Sequence, residues 1–212
     1  MQVIAVAGQK GGAGKTTLAL NVAEALRLQG RRVVVVDTDP QGSARYWRDL
    51  AEEQGHTDSV AVMGASGTAL LSTLRALEPS ADIVVIDTPP RMSAEARAAM
   101  VAASVVLSPV SMGGPDVWAL EQTAQTVAEV KATRTDGGPR VLVVLNRIDT
   151  RTALARTLPD AVKAQGFDIA QTVIANRVAW AEATGLGQTI PTYAPSGAEM
   201  EQLSALLAEV LP

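Results

Sequence analysis

Gly8-Gln9-Lys10-Gly11-Gly12-Ala13-Gly14-Lys15-Thr16-Thr17 is the stretch that decides how this chain reads. It fits the pattern GxxxxGK[ST] and stands between an apolar run, Val3–Ala7, and a helical period. A phosphate-binding loop requires that placement. Its glycines let the backbone turn tightly and point successive N–H groups at one set of phosphate oxygens. The helix that follows adds the positive end of its dipole. Lys15 is placed to reach the β- and γ-phosphates and Thr16 to ligate Mg²⁺, while Gly11, Gly12, Ala13, Gly14 and Thr17 complete the cradle. Lys10 departs from a plain loop. A second lysine five residues before Lys15 costs like-charge repulsion unless a polyanion is present.

Outward from the loop, short apolar runs alternate with longer helical periods. Val3–Ala7, Val33–Val36, Ile83–Ile86, Val105–Leu107 and Val141–Leu145 are nearly continuous in Val, Ile, Leu and Ala, as strands covered on both faces are. Thr172–Ile174 is a further candidate and Val60–Met63 an edge strand. Thr17–Gln29, Ala44–Glu53, Thr68–Leu77, Val117–Thr133, Leu154–Gln165 and Glu199–Val210 carry apolar residues at helical spacing. Gly30 is placed to end the first of these. The expectation is an α/β fold, a three-layer, mostly parallel sheet with helices on both faces, formed by residues 1–212 as a single domain. Ligands of such sheets lie beyond the carboxyl ends of the strands.

Carboxylates fall at those ends. Asp37 and Asp39 follow the second strand, and Asp87 closes the third before Thr88-Pro89-Pro90. Beside a triphosphate, such groups hold Mg²⁺ and orient or deprotonate an attacking water. Asp87 has the position of the acid that closes a Walker B strand. Val141–Leu145 runs into Asn146-Arg147-Ile148-Asp149, similar to the NKxD base-binding element with Arg in place of Lys.

Together these stretches resemble the deviant Walker A motif, KGGxGK[ST][ST], and the DxDPQ and DTPP segments of the ParA/MinD family of ATPases, which have the P-loop NTPase fold. The resemblance covers essentially the whole chain. It implies ATP and Mg²⁺ as ligands, with Lys10 reaching across a dimer interface to the partner's nucleotide. Asp39 would activate water and Asp37 would stand on the magnesium side with Thr16 and Asp87. Asn146 would lie near the adenine, without requiring Asp149 to touch it. Ile190–Pro195 matches the region whose backbone flanks the base, with Pro191 and, more weakly, Tyr193 in it. The family cycle implies an ATP-driven homodimer that binds nonspecific DNA of the nucleoid. A ParB-like or other partner protein stimulates slow hydrolysis, and a plasmid, chromosome or protein assembly is partitioned or positioned. A metabolic amidation or carboxylation enzyme of the same fold is the competing class.

Composition sets limits. The chain has 212 residues, one histidine, no cysteine and a formal net charge of −4. Without cysteine there is no disulfide, thiolate nucleophile or iron–sulfur cluster of the kind another branch of the family carries. The acidic balance disfavours nucleic acid overall, so DNA contact falls to local cations, for which Arg147, Arg151, Lys163 and Arg177 are the candidates. No apolar run approaches 18 residues. Glu199–Pro212 has no Lys or Arg, unlike a basic membrane-binding helix. A cytoplasmic, nucleoid-associated location is the expectation.

Overall fold

The computed structural model describes residues 1–111 and 114–211, with the side chains of 114–118 and 154 excepted. The side chains of Val117 and Leu154, expected on helix faces, are thus outside the described set. In chain order the elements are β1 (Gln2–Val6), α1 (Lys15–Leu28), β2 (Val33–Asp37), α2 (Ser43–Glu53), β3 (Ala61–Gly64), α3 (Leu70–Leu77), β4 (Ile83–Asp87), α4 (Ala94–Ala102) and β5 (Val105–Val110). There follow α5 (Gly114–Ala132), β6 (Arg140–Ile148), α6 (Ala153–Ala164), β7 (Asp168–Ile169), β8 (Ile174–Ala175), α7 (Val178–Gly185), α8 (Ile190–Tyr193) and α9 (Ala198–Val210).

The sheet runs β3-β2-β4-β1-β5-β6-β7, with β8 also on β6. Every pairing among the described residues is parallel. Strand alternation divides the core in two. Ile4 and Val6 pack with Leu18, Leu26 and Leu203 on one face; Val3, Ala5 and Ala7 pack with Met100, Leu120 and Val127 on the other. Two covered faces leave no polar positions within residues 3–6 of β1 or 83–86 of β4, which is why these stretches read as unbroken apolar runs. Truncating a fully buried residue such as Ile4 to Ala costs about 2–5 kcal/mol. β3 stands at the edge and is mostly exposed. The first helix ends as read: Gly30 takes a left-handed φ of 85° and donates its N–H to the Arg27 carbonyl.

Three local readings are corrected. Thr172–Ile174 is not one strand. Glu209 of α9 accepts the N–H groups of Gln171 and Thr172 and the Thr172 hydroxyl, withdrawing those donors from the ladder, so β7 ends at Ile169 and β8 begins at Ile174. α4 and α7 were unforeseen. α4 is Ala-rich, which blurs polar–apolar contrast, yet its start carried a signal: Ser93 caps it, accepting the Ala96 N–H. β6 also extends past Leu145 to Ile148, taking Asn146 and Arg147 into the sheet.

Candidate nucleotide and magnesium site

Register brings the acids together. Parallel pairing sets Asp37 opposite Asp87, and Asp87 opposite Val6, the last residue of β1, two residues before the phosphate loop begins at Gly8. Side chains then lock the strand tips. The Thr38 hydroxyl donates to the Asp87 carbonyl at 2.8 Å, and the Thr88 hydroxyl to the Val6 carbonyl at 2.9 Å.

The loop itself is shaped for an anion. Gly12 and Gly14 have φ of 76° and 88°, a region that side chains other than hydrogen rarely enter. A Cβ on Gly14 would also lie 2.4 Å from the Asn146 amide nitrogen, which donates to the Ala13 carbonyl at 2.8 Å. Gly14→Ala is therefore expected to reduce nucleotide affinity at least tenfold by calorimetry, through a displaced loop. None of the N–H groups from Gly11 to Thr17 finds a backbone acceptor among the described residues. Donors so arranged at a helix start are an anion site. Lys15 is buried, and its Nζ donates to the Lys10 carbonyl at 3.0 Å. Burial lowers its pKa, against the opposing pull of Asp87 and Asp39.

Asp87 is fully buried. Its Oδ2 accepts the Thr16 hydroxyl at 2.7 Å, while its Oδ1 has no partner. Burial pushes its carboxyl up to about 7, opposed by the Thr16 hydrogen bond and raised further by Asp37. An orphaned buried carboxylate oxygen beside a threonine hydroxyl suits a hard cation. Among the described residues no cluster of three or more metal-binding side chains exists. Mg²⁺ keeps several waters and is held by one or two carboxylates together with phosphates, the donor set that Asp87 and Thr16 begin.

Asp37 has further work that its type did not reveal. Its Oδ1 accepts the Asp39 N–H at 3.0 Å and its Oδ2 the Arg45 N–H at 3.2 Å. Gly42, the cap position of α2, has no side chain to offer, so Asp37 does the capping from the strand end. Asp39 is half-buried, accepts the Gln41 N–H at 2.9 Å and lines the cavity beside the loop.

That cavity measures about 690 Å³ and runs from Lys15 and Thr16 across Asp39 to Tyr46 and Trp47 of α2. A second, of about 390 Å³, is bounded by Asn146, Asn176, Arg177 and Trp180. Thr17, Arg147 and Thr184 line both, so the two adjoin. Trp180 had no signal in the sequence, because the short α7 shows no helical period, and Asn176 lies in the link between β8 and α7 with no motif around it. Pro191 and Tyr193 line neither cavity. Pro191 is buried in α8, which Asn21 anchors by accepting the Ile190 N–H at 2.7 Å, and the Tyr193 hydroxyl donates to Glu182.

The four cations considered for DNA do not form one group. Arg147 reaches over the loop, its Nη1 3.5 Å from the Gly12 carbonyl. Arg151 is bound by Asp149 through two hydrogen bonds, and the Arg177 Nε stands 3.6 Å from Glu199. These three lie at the carboxyl ends of the strands. Lys163 lies at the opposite end, with Arg140 and Asp168.

Residues 4–190 match the model of the CobQ/CobB/MinD/ParA nucleotide binding domain. The chain belongs to this family. It is a family of P-loop ATPases with members in partitioning and positioning. The chain is 31% identical to the chromosome-partitioning ATPase Soj of Thermus thermophilus, over 98% of this chain and 94% of that one. It is 29% identical to the maintenance of carboxysome distribution protein A of Halothiobacillus neapolitanus, over 99% and 96%. The septum site-determining protein MinD of Pyrococcus horikoshii, solved with Mg-ADP, superposes with a TM-score of 0.76 at 22% identity, covering 99% of this chain and 96% of that one. Like the other family members, the chain has its parallel sheet flanked by helices. Among the described residues no helix is long and apolar enough to cross a membrane.

Proposed function

We propose that this protein is an ATP-dependent dimerising ATPase that binds DNA without sequence preference and partitions or positions a cargo on the nucleoid. Hydrolysis is slow and stimulated by a ParB-like or other partner protein. The observation that carries this reading is the convergence, at three adjoining strand tips, of a phosphate loop with two lysines, a Thr16–Asp87 pair with a free oxygen, and Asp39. The end-to-end match to a partitioning and a positioning relative supports the cargo class.

In this reading the loop N–H groups and Lys15 hold the phosphates, and Lys10 serves the partner's nucleotide. Thr16 and Asp87, with Asp37 on the same side, hold Mg²⁺, which when bound neutralises charge on the phosphate oxygens. Asp39 orients the attacking water and accepts its proton. Asn146, tied to Ala13, sets the wall against which the adenine rests. A homodimer doubles every surface cation, which strengthens phosphate contacts that are weak singly.

The deciding experiment is binding to a nonspecific duplex with ATP and Mg²⁺, followed against salt. Binding that needs ATP and weakens as salt rises is the expected result; equal binding with ADP contradicts it. Asp39→Ala is expected to keep ATP affinity within about threefold, lower turnover on the order of 10²-fold, and accumulate dimer on sizing. A strictly monomeric variant under conditions where the unaltered protein dimerises would contradict the role given to Asp39. Arg177→Glu is expected to weaken DNA binding several-fold with nucleotide affinity unchanged. Arg147→Glu is a less clean test, because Arg147 stands over the phosphate loop and its reversal should weaken nucleotide as well.

A further inference from the structure

Among the described residues two that are not glycine have left-handed backbones, Arg91 at φ 73° and Arg147 at φ 58°, and both abut the phosphate loop. Such conformations persist only where the surroundings impose them, and they gather at functional sites. Arg91 lies in the segment that leaves Asp87 and enters α4. Its N–H donates to the Gln9 carbonyl at 2.9 Å, and the next N–H, that of Met92, donates to the Gln9 Oε1, also at 2.9 Å. Both acceptors of one loop residue thus hold the segment that follows the magnesium-side acid. One position further, the Lys10 carbonyl accepts Lys15 Nζ.

We propose that Gln9 is a positioning residue that couples the phosphate loop to the segment Thr88–Met92, so that a change at the loop is transmitted through the Gln9 side chain to the start of α4. The proposal rests on the reading of the loop as the nucleotide's phosphate site. The physical sequence is short. Lys15 donates to the Lys10 carbonyl in the loop, and a phosphate beside the ammonium competes with that carbonyl for its three donors. Where the phosphate takes the donor aimed at Lys10, the Gln9–Lys10 stretch is released from Lys15 while still bound to Arg91 and Met92. The strained Arg91 supplies a segment whose conformation is set by these contacts rather than by its own preference, so a small displacement of Gln9 shifts its population.

The test uses the full chain with ADP and Mg²⁺ as the probe, reading amide hydrogen exchange over residues 88–93 alongside calorimetric affinity. In the unaltered protein, exchange in this segment is expected to change at least threefold on ADP binding. Gln9→Met keeps the side-chain length and removes the acceptor. It should speed ligand-free exchange at Met92 about fivefold, the loss of one net hydrogen bond, and at saturating ADP abolish the response of that amide, while Arg91, held by the Gln9 backbone carbonyl, keeps its own. Gln9→Glu keeps an acceptor for the Met92 N–H and should restore the response. A merely structural Gln9 would lower Tm in Gln9→Met and leave the ADP response intact, which overturns the coupling. An unresponsive segment in the unaltered protein, with ADP bound, overturns it too. Failure of the unaltered protein to bind ADP at all sinks the phosphate-site reading instead, and the coupling with it.

Discussion

Lys15→Ala is expected to lower ATP and ADP affinity by roughly 10²–10³-fold while leaving the ligand-free fold intact. The ammonium is buried, and in the absence of an anion its acceptor is a single backbone carbonyl, that of Lys10. Burial of a charge is costly unless it is paired and hydrogen-bonded, and here it is only partly offset by the more distant fields of Asp87 and Asp39. Removing the charge therefore subtracts little from the empty protein, and Tm should stay within a few degrees or rise. With nucleotide present the balance reverses. The phosphates then lie against a cation that the site has already stripped of water, and losing one member of such a pair costs about 2–5 kcal/mol. Titration calorimetry reads the affinity and a thermal scan reads the fold. Unchanged affinity in a folded Lys15→Ala protein would remove the phosphate-loop assignment, and with it every role given to Asp39 and Asp87. Lys15→Arg should not restore binding, because a larger planar fork has to enter space that a compact ammonium fills.

What the sequence disclosed, and what it hid, follows from how local each signal is. The loop from Gly8 to Thr17 was legible because positive φ at Gly12 and Gly14 and the helix start at Lys15 are properties of a few consecutive residues. The strands were legible because burial on both faces writes itself as a run of Val, Ile and Leu. Asp37 and Asp87 could be recognised as strand-end acids, but their meeting in register depends on pairing between segments fifty residues apart in the chain, and the capping of α2 by Asp37 on a turn that brings Arg45, eight residues on, back to the strand end. Arg147 shows the limit most plainly. Counted along the chain it belongs with Arg151 as a surface cation. In the fold a register shift between Asn146 and Ile148, with a left-handed backbone at Arg147, turns its side chain onto Gly12. Irregularities of that kind re-aim side chains near functional sites, and no periodicity announces them. α7 was hidden for another reason. Val178–Gly185 is apolar around most of its circumference, so it has no face to detect, although its Trp180 walls the cavity next to Asn146.

Asp87→Asn is expected to stabilise the ligand-free protein above neutral pH while removing most of the stabilisation that nucleotide and Mg²⁺ confer. The sign follows from the shift. The Asp87 carboxyl is pushed up to about 7 in the fold, from 3.8. A raised carboxyl contributes stability that is fully present below the unfolded value and is lost as pH rises through the folded one. The empty protein should therefore weaken steadily from about pH 4 to pH 7 and then level off, by at most about 4 kcal/mol if about 1.4 kcal/mol attaches to each unit. Asparagine does not ionise, so its profile should lack that slope, and its oxygen can still accept the Thr16 hydroxyl. The variant should thus exceed the unaltered protein in Tm at pH 8 and differ little near pH 4. Magnesium affinity should run the other way. The cation needs the ionised carboxylate with its orphaned Oδ1, so affinity for Mg²⁺ in the nucleotide complex should rise with pH up to about 7 in the unaltered protein and stay low and flat in Asp87→Asn. Thermal scans from pH 4 to pH 8, with and without ADP and Mg²⁺, read both effects. Parallel profiles for the two proteins would mean that Asp87 is ionised throughout and already satisfied, which leaves the buried oxygen without a reason to face an ion. Opposite slopes, stability falling while magnesium affinity climbs over the same interval, are what a carboxylate held destabilised for a cation must produce.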